Sequence, residues 1–501
     1  MAGEIENAAP AREERLKAGI AFCGTCAQLK NTLNQEGGGC LHAANRSFSQ
    51  TYGCQFTLSL GILNTIRNAV IIMHGPIGCG FCSTANIGMG KAYKQLRDPS
   101  ANGLIWLSSN LDETDVISGG EEKLKETILY ADQEFRPETI IVASSCVPAL
   151  IGDDVDSILQ ELQTEVTAEL VPVICEGFKT KLMATAYDAV YNGILKKLTR
   201  YPERETYLTE TDLEKQAREY KLKRTVNVFN VGSMSRADEL EIQRLLTALE
   251  LNVNFLPCYA APEDFSYALE VALNVSICGT HDDYYLQYIY ENFHIPYMID
   301  TIPIGRKNTD RWLLKIAAHF GIEKEAQSLI RKENELLDDS LVPFRENLRG
   351  KRVLISGGEV RILATAEVVQ DLEMKLVGLK GHHIDQFAKP IFEALDDIDD
   401  VHINIATQHP FEQANLVRRL NPDVMIIHTG SGNVTAKYGL PVFPLYGSSY
   451  NYIGYSGTYE IARRLNRIMK NSQFNKNLKK YRALPYKQEW YEKEPFTYIK
   501  Y

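Results

Sequence analysis

The chain has 501 residues, too many for one ordinary core and close to the length of three domains. Hydrophobic residues make up 45% and charged residues 24%, which excludes a disordered or fibrous chain. Lys and Arg total 54 against 64 Asp and Glu, a net charge of -10 that argues against a nucleic-acid binder. No apolar run approaches the roughly 18 residues of a membrane span. The start, Met1 to Glu6, lacks the apolar stretch of a secretory signal, so a cytoplasmic chain is expected.

Residues 1–49 read as an N-terminal extension. From there, short apolar runs each lead into a turn and then a helical pattern. Ala69–Met73 leads into His74-Gly75-Pro76-Ile77-Gly78-Cys79, Thr139–Ala143 into Ser144-Ser145-Cys146, and Val171–Ile174 into Cys175-Glu176-Gly177-Phe178. Thr225–Phe229, Leu273–Ile277, Arg352–Ile355, Lys375–Leu379 and Val424–Ile427 follow. Apolar strands alternating with amphipathic helices predict an α/β fold with parallel sheets, in which ligands gather at the carboxyl ends of the strands. Charged stretches at 201–223 and 323–349 divide the chain into domains at 50–223, 224–349 and 350–470. A tail at 471–501 completes it.

The ten cysteines are too widely spaced for a disulfide framework, and in a cytoplasmic chain they call for packing, metal or cluster roles. Cys54, Cys79 and Cys146 stand in or beside turns, where free backbone amides suit thiolates and sulfides. Spacing alone leaves iron–sulfur ligation, zinc ligation and buried thiols open. Cys23-Gly24-Thr25-Cys26 with Cys40 has the look of a metal knuckle that Cys82 or His42 could complete, although unligated thiols are favoured. Cys175 reads as packing beside Glu176. A P-loop is approached at Ala85–Ala92, but Ala85 replaces its first glycine and Ala92 its magnesium-binding hydroxyl, so no ATP site is expected. Gly430-Ser431-Gly432 is too short for a hydrolase elbow.

Four ordered motifs carry a resemblance. His74–Gly80, Thr114–Leu124, Cys146–Asp154 and Val171–Phe178 are similar to signatures of the nitrogenase molybdenum–iron protein family, and the Cys-Glu-Gly-Phe segment favours its α-type subunit. The likeness runs from about Cys54 to Arg467. It implies three Rossmann-like domains enclosing one cofactor, with a second cluster shared with a homologous β-type subunit in an α2β2 assembly. Cys54, Cys79 and Cys146 then match the α-side ligands of an 8Fe-7S P-cluster. Cys278 matches the cysteine holding the end iron of the cofactor, supported by His294-Ile295-Pro296-Tyr297 downstream. Gly357 and Gly358 match a tight turn whose amides contact the cofactor's sulfides, and Arg361 is a nearby cation suited to an anionic cluster.

The departures bear on activity. Tyr446 stands where the family has the histidine that caps the cofactor, and Gly430 where a lysine binds homocitrate. Ile87 replaces the gating arginine; Tyr187 and Met183 replace the histidine and glutamine beside the reactive face. Dinitrogen reduction is therefore not expected. His382 and His383, after Lys375–Leu379, and His281, three residues beyond Cys278, are candidates to refill the pocket as ligands or proton donors, each against a plain turn or surface role. Together with Tyr446 they form the candidate catalytic set.

The resemblance implies an iron–sulfur reductase that receives electrons from a separate ATP-dependent iron protein homodimer. The P-cluster would pass them to an 8Fe-9S-carbide cofactor, related to the L-cluster or FeMo-cofactor and expected to be all iron. Among relatives, methylthio-alkane reductase fits the retained cysteines, with carbon–sulfur cleavage of a small thioether as the reaction. The alternatives are a scaffold subunit for nitrogenase cofactor assembly and a nitrogenase α subunit.

Overall fold

The computed structural model describes residues 5, 9–10, 12–16, 19, 21–34, 54–81, 94–99, 101, 103, 105–179, 182, 184–201, 210–406, 410–428, 437–447, 450–481 and 486–492. Fourteen strands lie among them: β1 (Ala21–Thr25), β2 (Ala69–His74), β3 (Ile105–Ser108), β4 (Thr139–Ser144), β5 (Glu169–Ile174), β6 (Thr225–Phe229), β7 (Asn252–Leu256), β8 (Leu273–Ser276), β9 (Tyr297–Met298), β10 (Arg352–Gly357), β11 (Lys375–Gly381), β12 (His402–Ala406), β13 (Val424–Ile427) and β14 (Val442–Pro444). They form three sheets in the orders β3-β2-β4-β5, β7-β6-β8-β9 and β1-β12-β11-β10-β13-β14. Every pairing is parallel except β1 with β12.

The parallel arrangement follows from the residues. β2, β4, β6, β8 and β13 are buried along their whole length, as strands covered by helices on both faces must be. The N-terminal extension contributes β1, whose antiparallel pairing with β12 adds an edge to the third sheet. No described helix is long and apolar enough to cross a membrane.

The chain divides into two compact units. One comprises 1–15, 53–232 and 250–299 and holds the first two sheets; the other comprises 16–52, 233–249 and 300–501 and holds the third. In the first unit a single core joins the helix Gln55–Leu63, β2, β4, β5, the helix Thr185–Lys197 and the helix Gly279–Phe293.

One topological feature positions all that follows. In each sheet the chain adds strands on one side of its first parallel strand and then crosses to the other side. The crossing points lie between β2 and β4, between β6 and β8, and between β10 and β13. Loops diverge there at the carboxyl ends, leaving the crevice in which open α/β sheets bind ligands.

Candidate functional site

The β2/β4 crossing carries thiols. Cys79 lies in the short helix Ile77–Phe81 after β2, Cys146 opens the helix Cys146–Ile151 after β4, and Cys54 precedes the helix Gln55–Leu63. All three are half-buried. A side chain at Gly177 would meet Cys54 Cβ at 2.8 Å, Cys54 Sγ at 3.2 Å and Cys146 Sγ at 3.8 Å, so this glycine lets two of the sulfurs flank one point. Cys54 and Cys79 pack against the same core. Cys175 stands apart in chemistry: it is fully buried, donates to the Ser144 carbonyl at 3.4 Å, and burial pushes its thiol well up.

His74 fixes the loop that leads to Cys79. Gly75 N–H donates to Ser109 Oγ at 3.0 Å, which directs the Ser109 hydroxyl to His74 Nδ1 at 2.9 Å. His74 Nε2–H then meets Asp153 Oδ2 at 3.1 Å, and Gly120 N–H donates to Asp153 Oδ1 at 3.0 Å. Burial outweighs Asp153 and holds the imidazole neutral. Around these strand ends Ile77, Ile117, Leu150 and Phe178 are 63%, 89%, 71% and 52% exposed, each on a segment that leaves the carboxyl end of the same sheet. Four large apolar side chains so placed are unusual on a surface that stays in water.

At the β6/β8 crossing stands Cys278, 3% exposed, immediately before the helix Gly279–Phe293. Ser276 Oγ and Tyr191 Oη both donate to the Asp282 carboxylate, at 2.6 and 2.7 Å, and so pin that helix to the end of β8. Burial pushes the Asp282 carboxyl up to about 7. His281, one residue earlier, stacks face to face on Tyr187, with centroids 3.7 Å apart and planes 7° from parallel. Buried Arg12 bridges Asp188 and Asp283 at 2.9 and 2.8 Å, which ties the N-terminal helix Arg12–Arg15 across two helices of this unit.

The third sheet offers nitrogen and oxygen donors. At the expected glycine pair, Gly357 ends β10, and Gly358, at φ -65° and ψ 144°, is the single residue between the strand and the helix Glu359–Asp371. His428, which follows β13, holds position 357 to glycine: a side chain there would lie 2.4 Å from its Cβ and 2.7 Å from its Cγ, whereas Gly358 faces open space. His428 is buried, takes a 3.2 Å hydrogen bond between Nε2 and Thr365 Oγ1, and leaves Nδ1 without one. Burial, then Arg361 and His382, hold it neutral. Tyr446 meets the His428 ring edge-on at 5.9 Å and lies 5.5 Å from the Arg361 guanidinium, which also donates to Ser233 Oγ at 3.2 Å.

His382 and His383 follow β11 with different fates. Both ring nitrogens of His382 are shielded from solvent, and burial, then Lys380 and His383, push it down to about 3. His383 Nε2 lies 3.0 Å from Glu359 Oε1 and 3.6 Å from Asp385 Oδ2. Burial lowers its pKa, but the two carboxylates more than offset this and raise it to about 10. Nothing in the motifs points to Glu359, Asp385 or His428. For His428 a signal exists, the same one that marks Cys146, since it directly ends the apolar run Val424–Ile427.

The remaining thiols sit elsewhere. Cys23, on β1, has Sγ 3.2 Å from His402 Nε2, while burial pushes Cys26 up to about 12. No disulfide joins any of the described cysteines. Cys40, His42, Cys82, Ala85, Ile87, Ala92, Met183 and Gly430 lie outside the described residues.

Residues 54–470 match the model of the nitrogenase component 1 type oxidoreductases. The nitrogenase iron-molybdenum cofactor biosynthesis protein NifE of Nostoc sp. is 28% identical over 424 residues, 82% of each chain. The nitrogenase molybdenum-iron protein alpha chain of Azotobacter vinelandii is 25% identical over 444 residues, 85% of this chain and 84% of that one. Among solved structures, nitrogenase Cp1 at pH 5 superposes with a TM-score of 0.72 over 94% of this chain and 96% of that one, at 20% identity, which shows a shared fold. With its three largely parallel sheets and thiol-bearing strand ends, the chain is an α-type member of the nitrogenase component 1 type oxidoreductase family.

Proposed function

We propose that this chain is the α-type subunit of a nitrogenase-like cofactor-assembly scaffold. It would hold a bridging iron–sulfur cluster on Cys54, Cys79 and Cys146 and an all-iron, 8Fe-9S-carbide precursor on Cys278. The observation that carries the proposal is Tyr446. At the family's capping-histidine position stands a phenol packed against His428, Arg361 and Tyr452, not an imidazole. A site with the thiolate but without the cap suits a cluster held before a heterometal is added. The likeness to a cofactor biosynthesis protein over 82% of the chain supports the same reading.

The residues present fit such groups. Cys146 opens a helix, and Gly177 gives two sulfurs room to approach one atom. Cys278 is buried at a helix start, and the Asp282 bonds hold that start in place. When bound, the clusters supply the electron storage that this chain's side chains lack. The His74 network orients the loop bearing Cys79, and the exposed Ile77, Ile117, Leu150 and Phe178 supply an apolar surface for a β-type partner in an α2β2 complex. The assignment of Gly357, Gly358 and Arg361 to the cofactor rests on the family pattern, and that of His281 and His382 on their places in the chain, beside Cys278 and after β11.

A second reading keeps the chain as a reductase of small thioethers, supplied by an ATP-dependent iron protein. His428 favours it, because a neutral buried imidazole with Nδ1 lacking a hydrogen bond is suited to ligate a permanent group. One paired assay decides. The purified complex is given an iron protein, ATP, reductant and a methylated thioether, and in parallel its cluster is offered to an apo-acceptor protein. Cluster transfer without methanethiol release is the expected result; sustained methanethiol release by the complex would overturn the scaffold reading. Stoichiometric molybdenum or vanadium in the complex would refute the all-iron precursor.

A further inference from the structure

We propose that Glu359, His383 and Asp385 form a mononuclear site for a divalent transition-metal ion, separate from the cysteine-held clusters. All three are buried, and their ligand atoms lie within 4.8 Å of one another. They come together because β10 and β11 are neighbours in register, with Gly357 paired to Gly381. Glu359 opens the helix after β10, and His383 and Asp385 follow β11.

The geometry is better suited to an ion than to a proton. A tetrahedral site with bonds of about 2.0–2.1 Å has ligand-to-ligand edges of about 3.3 Å. The distances from His383 Nε2, 3.0 and 3.6 Å, bracket that value. A single Nε2–H can serve only one of the two carboxylates at a time. A metal ion has no such directional limit and serves all three at once.

Two buried carboxylates offer a divalent ion the opposite charge that a low-dielectric place requires. The carboxylates are also pre-oriented: Phe387 N–H donates to Asp385 Oδ1 at 2.9 Å, which turns Oδ2 toward His383. One imidazole with two carboxylates selects manganese, iron(II) or zinc. Copper(I) would want thiolates, and magnesium or calcium an all-oxygen shell.

The test uses the full-length chain in its complex, chelator-treated and titrated with manganese(II), with free ion followed by its paramagnetic resonance. Retention of one ion per chain, displaced by zinc, is expected. Glu359→Gln and Asp385→Asn, which preserve shape, should each weaken it by roughly tenfold or more. Cys79→Ala and Cys278→Ala should leave it intact. Loss of the ion in either cysteine variant, or equal retention in Glu359→Gln and Asp385→Asn, would overturn the proposal. Should the carboxylate variants fail to fold, crystals of the unaltered protein soaked in manganese decide. An anomalous peak among the three side chains supports the site, and its absence at full soak rejects it.

Discussion

The strand ends of the first sheet and of the third share a topology and differ in chemistry. In both, a crossing point opens a crevice at the carboxyl ends of two parallel strands. At β2/β4 the donors are half-buried sulfurs ringed by exposed apolar side chains; at β10/β13 and the adjoining end of β11 they are buried imidazoles, carboxylates and a guanidinium. Exposure accounts for the contrast. In the proposed reading, thiols left half-open at a surface receive atoms from another chain, while charged groups taken out of water are matched by neighbours within their own unit. On that reading one backbone plan yields a site completed from outside and a site completed from within.

The strongest way to break the comparison is to empty the open site. Cys79→Ala should lose most of the iron of the bridging cluster and leave the fold intact, read by iron analysis beside circular dichroism. Full iron content would show that the thiols at β2/β4 are merely packed. Next in size is the rim. Ile117 and Leu150 are exposed, so replacing both with Glu should cost the chain's own stability little. If they meet a partner, association should weaken by roughly 30-fold or more in sedimentation or light scattering. Unchanged association would place the partner surface elsewhere.

Much of this contrast is legible in the amino-acid sequence. Thr225–Phe229 and Val424–Ile427 are strands at the limits their apolar runs suggest, and Cys146 and Cys278, which follow such runs, do stand at crossing points, whereas Cys175 follows the edge strand β5. Other strands carry no local signal. β12 reads His-Ile-Asn-Ile-Ala, with buried Asn404 donating from its amide to Glu412 Oε2 at 2.9 Å and to the Phe22 carbonyl at 3.5 Å. β1 lies in a segment that reads as an extension, and its strand state depends on pairing with residues some 380 positions away. The nitrogen and oxygen site is hidden for the same reason. His383 stands out beside His382 at the end of an apolar run, but Glu359 and Asp385 join it only through the β10–β11 register, which one sequence does not display.

A smaller effect tests why glycine ends β10. Gly357→Ala would place a methyl 2.4 Å from His428 Cβ, and a buried ring has little room to withdraw. The expected cost is about 1–3 kcal/mol, seen as a lower melting temperature. Gly358→Ala meets nothing within 4 Å and keeps a φ of -65° that alanine adopts, so it should be close to neutral. Equal effects of the two substitutions would show that His428 does not shape the strand end.

The smallest expected effect separates the two neutral histidines by pH. His74 has both ring nitrogens engaged, by Ser109 and Asp153, whereas His428 engages one. Burial depresses the folded-state pKa of His74 below its ordinary value of 6.5. The sign follows from linkage: the unfolded chain takes up a proton near pH 6.5 that the folded chain resists, so this contribution is present above about 6.5 and declines as pH falls below it. Protonation also puts a hydrogen on Nδ1, facing the hydroxyl that Gly75 N–H has turned toward it. His74→Gln should therefore be less stable than the parent at neutral pH, since an amide cannot span both partners. Its melting temperature should nevertheless fall less steeply between about pH 6.5 and 5. The measurement is a pair of melting curves across that window, following Trp106 of the same sheet. Parallel slopes would mean that His74 accepts its proton without strain, and that the loop before Cys79 is held by Ser109 and Asp153 whatever the charge on the ring.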